Sequence, residues 1–207
     1  SQSADFQQNQ LPKFQSFINM NLGEGMNIND SAFALDPSKL KIANDASARV
    51  YFVGEGAGYR NTLGFNMSGN GLGSGDPQLI FPDASTSNSY FDPVKWATRR
   101  SRSAPLAPGD FVDLGSIPGG SYLDYFLIAN GARGGKNVYT ANASTNPDGI
   151  NHVIAFAMED SPYLLIGFED LYGGGDRDFN DLLFAVDIGE QNVTNLVATP
   201  CLLYTSP

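Results

Sequence analysis

The sequence predicts an all-β protein in which antiparallel sheets pack face to face as a β-sandwich or jelly roll. Short apolar or alternating runs recur along most of its 207 residues, the periodicity expected of strands. Clusters of Gly, Pro, Asn and Asp separate those runs, at 70–75, 108–110, 118–120, 130–135 and 146–149, where tight turns need such residues. Helical periodicity is thin, and no internal repeat or linker divides the chain. Sheets that bury one face must pack against something, and a second sheet is the natural solution.

Taken in order, residues 1–10 carry four Gln, one Asn and a single large apolar residue, Phe6. Such a segment holds too little apolar surface to order itself. The run 17–22 alternates, with Ile18, Met20 and Leu22 on one face and Asn19 and Asn21 on the other. Residues 1–22 thus read as a polar arm ending in a strand. That strand is either the first of its own sandwich or one lent to a neighbouring subunit to complete an open sheet edge. Further strands are expected at 26–29, 48–54, 63–67, 78–81, 111–114, 122–129, 152–158, 163–168 and 182–188, with single helical turns at 36–40 and 93–98. The organisation is an arm (1–22), one sandwich domain (23–190) and a tail (191–207). The tail's end, 200–207, resembles a translated sequencing adapter, and Cys201 within it is given no function.

Charge narrows the function classes. Twenty-two acidic and 12 basic residues leave a net −10, which disfavours nucleic acid and anionic membranes as partners, since both select a basic face. One cysteine excludes an internal disulfide, and no apolar run is long enough to span a bilayer. The opening Ser-Gln-Ser-Ala-Asp, with no initiator Met, suits an exported chain whose signal peptide has been removed. An extracellular or cell-surface location is expected.

The chemistry concentrates in residues 168–187. Glu169, Asp170, Asp176, Asp178, Asn180 and Asp181 surround Gly173-Gly174-Gly175. Carboxylates this close repel one another unless a cation sits among them. Calcium takes six to eight oxygens from carboxylates, amides and carbonyls, so these six residues are the expected calcium ligands. Asp176, Asp178 and Asn180 begin like an EF-hand loop, but Asp181 stands where that loop needs glycine, and the flanks read as strands. Because alternate side chains of a strand point oppositely, Asp187 need not belong to the site. The loop 53–61 is the expected neighbour, where Glu55 and Asn61 could add ligands and Arg60 could pair with a surplus carboxylate. A cation would hold the carboxyl pKa values down, which suits ligands better than a general acid. His152, the single histidine, reads as a packed structural residue. No nucleophile constellation can be built around it, and enzymatic activity is not expected. Arg99, Arg100 and Arg102 form the one basic cluster, read as a solvated loop or a contact to an acidic neighbouring subunit. Tyr59, Tyr90, Tyr139 and Tyr172 could stack on sugars as exposed aromatics, but nothing in their spacing selects that over core packing. The sequons at Asn29, Asn66, Asn142 and Asn192 are weak evidence for glycan.

The acidic stretch 167–184, with 50–65, 108–115 and 126–131, resembles the bacterial family known as domain of unknown function 4114, over about 48–188. The resemblance implies an extracellular β-sandwich that binds calcium, often found within adhesins. By its layout, a near-bare domain behind a polar arm, the chain also resembles stand-alone members that form extracellular fibrils by inserting an N-terminal strand into the next subunit. Two functions are therefore expected. One is a fibril protomer that pairs with itself through the arm. The other is a calcium-dependent adhesin module taking a carbohydrate or a peptide.

Overall fold

The computed structural model describes residues 3–22, 34–67, 69, 71–86, 106–158 and 160–198. The chain forms two antiparallel sheets. The larger runs β1 (Ala34–Leu35), β8 (Val153–Ala157), β9 (Tyr163–Phe168), β10 (Leu182–Asp187), β2 (Ala46–Gly54) and β5 (Phe111–Ile117). The smaller runs β4 (Asp76–Phe81), β3 (Thr62–Met67), β6 (Tyr125–Ile128) and β7 (Val138–Thr140). Their inner faces meet in one core, in which Val50, Phe52, Leu164, Ile166 and Phe184 of the large sheet face Leu63, Phe65, Leu127 and Tyr139 of the small one. The rings of Tyr125 and Phe184 meet edge-on at 5.0 Å across it. This is the expected β-sandwich. Every expected strand from 48–54 onward falls on an observed one. β1 and β7, of two and three residues, are too short to show a period.

The N-terminal arm differs from expectation. Residues 17–22 are not a strand: a π-helical turn (Phe6–Gln10) leads into helix α1 (Leu11–Asn21). Phe6, Leu11, Phe14, Ile18 and Leu22 pack on the outer face of the large sheet, against Tyr51, Val53, Phe156, Tyr163, Leu165, Leu183 and Ala185. Phe6 stacks on Tyr51 with ring centroids 4.1 Å apart, and Phe14 meets Tyr163 edge-on at 5.8 Å. Ile18 and Leu22 are four apart, a spacing that satisfies both a two-residue and a 3.6-residue period. Phe14, four before Ile18, fits both as well; Leu11 breaks the tie, because it joins the stripe only on a helix. Met20, grouped with Ile18 in the strand reading, is 63% exposed.

At the other end, α2 (Glu190–Ala198) closes the sandwich. Its Val193 enters the core, and the buried Asn192 donates to the carbonyls of Ile188 (3.0 Å) and Asn44 (3.1 Å). The sequon asparagine Asn192 is thus a buried brace. The turn expected at 36–40 is a short 3-10 turn, Pro37–Lys39, capped by Asp36 accepting from the Ser38 N–H at 2.9 Å. The strand expected at 26–29, the turn at 93–98, the arginine cluster, Tyr90 and Asn29 lie outside the described residues.

Candidate metal centre

β9 and β10 are hydrogen-bonded neighbours joined by residues 169–181, so the acidic stretch is the end of a long hairpin. β8 flanks it on one side and β2 on the other. That order brings the segment before β8 and the segment after β2 to the same end of the sheet. On the β8 side, Asp148 accepts from the Gly173 N–H at 2.7 Å and from the Ile150 N–H at 3.4 Å, and contacts His152 Nε2 at 2.9 Å. His152 Nδ1 lies 2.9 Å from the Glu169 carbonyl, and its ring stacks 3.8 Å from Tyr139. His152 is fully buried and ties the acidic loop down, the packed role its sequence context suggests. Tyr139 is fully buried as well, which decides for core packing over a sugar platform. Asp148 escaped the sequence reading because its Asn-Pro-Asp-Gly setting signals only a turn.

On the β2 side, the Gly56 N–H donates to the Asn180 carbonyl at 2.9 Å. A Cβ on Gly56 would run into the Asn180 side chain, so only glycine allows this approach. Asn61 donates to Asp170 through Nδ2 at 2.7 Å and accepts from the Asn130 N–H through Oδ1 at 2.9 Å. Both ends of its amide are engaged, so it positions Asp170. Glu55 is buried close enough to raise the Asp170 pKa by repulsion. Arg60, expected to pair with a surplus carboxylate, ion-pairs with Asp83.

Five carboxylates form the centre, in two groups that share Glu169. Glu169, Asp176 and Asp178 offer oxygens within 4.8 Å of one another, and so do Glu169, Asp170 and Asp181. Glu169, Asp170 and Asp178 are buried, Asp181 is half-buried and Asp176 is exposed. Hydrogen bonds hold the frame: the Asp170 N–H donates to Asp181 at 2.9 Å, and Asn180 Nδ2 donates to Asp178 at 2.6 Å. Gly175, at φ +45°, lies where a Cβ would strike Glu169 Oε1. Arg177 and Phe179 hold left-handed backbone at φ 60° and 54°, a conformation that costs a non-glycine residue about 1–2 kcal/mol.

Burial first, and then repulsion from neighbouring carboxylates, pushes Glu169, Asp170 and Asp178 above the usual carboxylate range, Asp178 to about 6. Burial raises Asp181 as well. The low pKa values expected of these groups are therefore not those of the chain by itself. Among the described residues, no lysine or arginine ion-pairs with any of the five. Glu169 Oε2 is buried with no hydrogen-bond partner, in a residue 1% exposed. A buried polar oxygen left without a partner costs about 1–3 kcal/mol, and its ionised form more, unless something positive meets it. An all-oxygen donor set with surplus negative charge fits a hard divalent cation.

Fold and site together define a β-sandwich domain with a buried carboxylate centre able to hold a metal ion. Residues 117–189 match the family described as domain of unknown function (DUF4114). The matched segment runs from the end of β5 through β10 and contains the whole acidic loop. No curated protein and no solved structure matches the chain. Among the described residues, no helix is long and apolar enough to cross a membrane.

Proposed function

We propose that the protein is a structural subunit of an extracellular filament, a non-enzymatic β-sandwich braced by calcium at the acidic loop and joined to its neighbour through the N-terminal arm. The observation that carries the calcium part is Glu169, a buried carboxylate with an unpartnered oxygen among four other carboxylates. Glu169, Asp170, Asp176, Asp178 and Asp181 would hold the ion, which supplies the positive charge the loop lacks. Extracellular modules bind calcium with Kd on the order of 10⁻⁴–10⁻³ M, in keeping with an exported, acidic chain. At a hundredfold excess over Kd, binding stabilises by about 2.7 kcal/mol, or roughly 5–10 °C in Tm for a chain of this size. A melt that chelator leaves unmoved would remove the calcium reading.

The arm supports assembly because one apolar face holds it to the sheet, helped by two hydrogen bonds from Ser3 and Gln7 to the carbonyls of Gly109 and Pro108. Strand exchange would require α1 to unwind, whereas a helix handed to the same face of the next chain reuses every contact. Electron microscopy of the full chain in calcium is expected to show filaments, and added peptide 1–22 is expected to stop their growth. Filaments that persist unchanged after deletion of 1–22 would end this reading.

A second reading, a calcium-dependent adhesin module for carbohydrate or peptide, is favoured by exposed Tyr59, Leu171 and Tyr172 beside the acidic centre. It predicts retention on glycan or peptide arrays that chelator abolishes. Retention indifferent to chelator and to Asp176→Ala would count against it.

A further inference from the structure

We propose that the acidic loop takes two divalent cations, bridged by Glu169, with an enclosed inner subsite of Glu169, Asp170 and Asp181 and an open outer subsite of Glu169, Asp176 and Asp178. This rests on the calcium reading above and extends it from the presence of an ion to a paired site. The six sequence-adjacent ligands look like one cage when read along the chain. The fold divides the five carboxylates among them into two groups, while Asn180 braces Asp178. The oxygens of Asp170 and Asp181 gather with Glu169 in one group, those of Asp176 and Asp178 gather with Glu169 in a second, and only Glu169 belongs to both groups.

Charge leads to the same division. One dication would leave three of the five carboxylate charges uncompensated in a centre where three of the carboxylates are buried. Two dications leave one, within reach of solvent at the exposed Asp176. Glu169 is suited to bridging. Its Oε1 accepts a bond from the Leu171 N–H at 3.3 Å, while its buried Oε2 has no partner and is free to ligate. The subsites differ in their support. Asp170 is fixed by Asn61 at 2.7 Å and Asp181 by the Asp170 N–H at 2.9 Å. Asp178 is braced by Asn180, but Asp176 stands in solvent. A preformed, dry subsite binds more tightly than an exposed one, so the inner ion binds first and the outer ion exchanges more readily.

Calcium titration of the full chain, followed by calorimetry and by native mass spectrometry, is expected to give two ions per chain in two steps. Asp176→Asn, at an exposed position, is expected to halve the stoichiometry and keep the tighter step. Asp170→Asn should remove that tighter step, and Glu169→Gln should weaken both. A single ion in the unaltered chain overturns the paired site, and an Asp176→Asn chain that still binds two overturns the outer subsite assigned to Asp176, both while leaving calcium binding intact. No binding at all would instead remove the calcium reading and this one together.

Discussion

The outer face under α1 and the acidic end of the hairpin belong to the same sheet, and both are buried, by opposite means. Under α1 the chain covers apolar rings with its own apolar rings, and burial is complete within the molecule. At the hairpin end it buries carboxylates without a basic partner among the described residues. Apolar burial is non-directional and asks only for area and fit. Charge burial asks for a specific counter-charge. One region is therefore finished by folding, while the other waits for a ligand. β9 connects them. All six of its residues are buried, with side chains alternating between the inner core and the α1 face, and it then hands the chain to Glu169.

The sharpest way to break this contrast is to damage the finished region and ask whether calcium notices. Phe14 is 1% exposed and packs between Phe6 and Tyr163. Phe14→Ala should cost about 3–5 kcal/mol, as for large-to-small changes in a core, and by the same amount with calcium or with chelator. Urea melts under both conditions measure it. A loss seen only in chelator would mean that the two regions are energetically coupled and the contrast is false.

Much of this was legible in the sequence, for a physical reason that also explains the failures. The run 163–168 is apolar at every position, the mark of a strand covered on both faces. A cover over the outer face was thus written into β9, and the helix supplying it was hidden because Ile18 and Leu22 fit two periods. The six acidic-loop residues stood out because they are adjacent in the chain. Asp148, 21 positions before Glu169, reaches the site only because β8 pairs with β9. The same limit hid the partition around Glu169, since grouping in space depends on backbone turns at Gly175, Arg177 and Phe179 that composition does not report.

A smaller effect sharpens the contrast from the acidic side. Asn61→Asp keeps the oxygen that accepts from Asn130 and replaces the donor to Asp170 with another negative charge. In chelator it should lower stability by about 1–3 kcal/mol, the range for a broken buried hydrogen bond. In calcium the added carboxylate strengthens the site, so the loss should shrink and the apparent calcium affinity should rise. Thermal melts across a calcium titration separate these outcomes. An equal loss under both conditions would make Asn61 a purely structural brace.

The smallest expected effect is the dependence on pH, and its sign is the informative part. Asp178 is raised from 3.8 to about 6 in the ion-free fold. The folded chain therefore holds protons that the unfolded chain releases, and stability falls as pH rises through that window. The contribution is fully present below 3.8 and is lost as pH climbs past about 6. In chelator, acidifying from about pH 7 to about pH 5 should thus raise Tm, the reverse of ordinary acid denaturation. Asp36 and Asp148 are shifted downward, so their opposing losses fall below that window. In calcium the order inverts, because protons compete with the ion for the same oxygens and acid should lower Tm. Crossing slopes in the two buffers would identify the carboxylates as waiting for a cation. Parallel slopes would mean that protons alone already satisfy them.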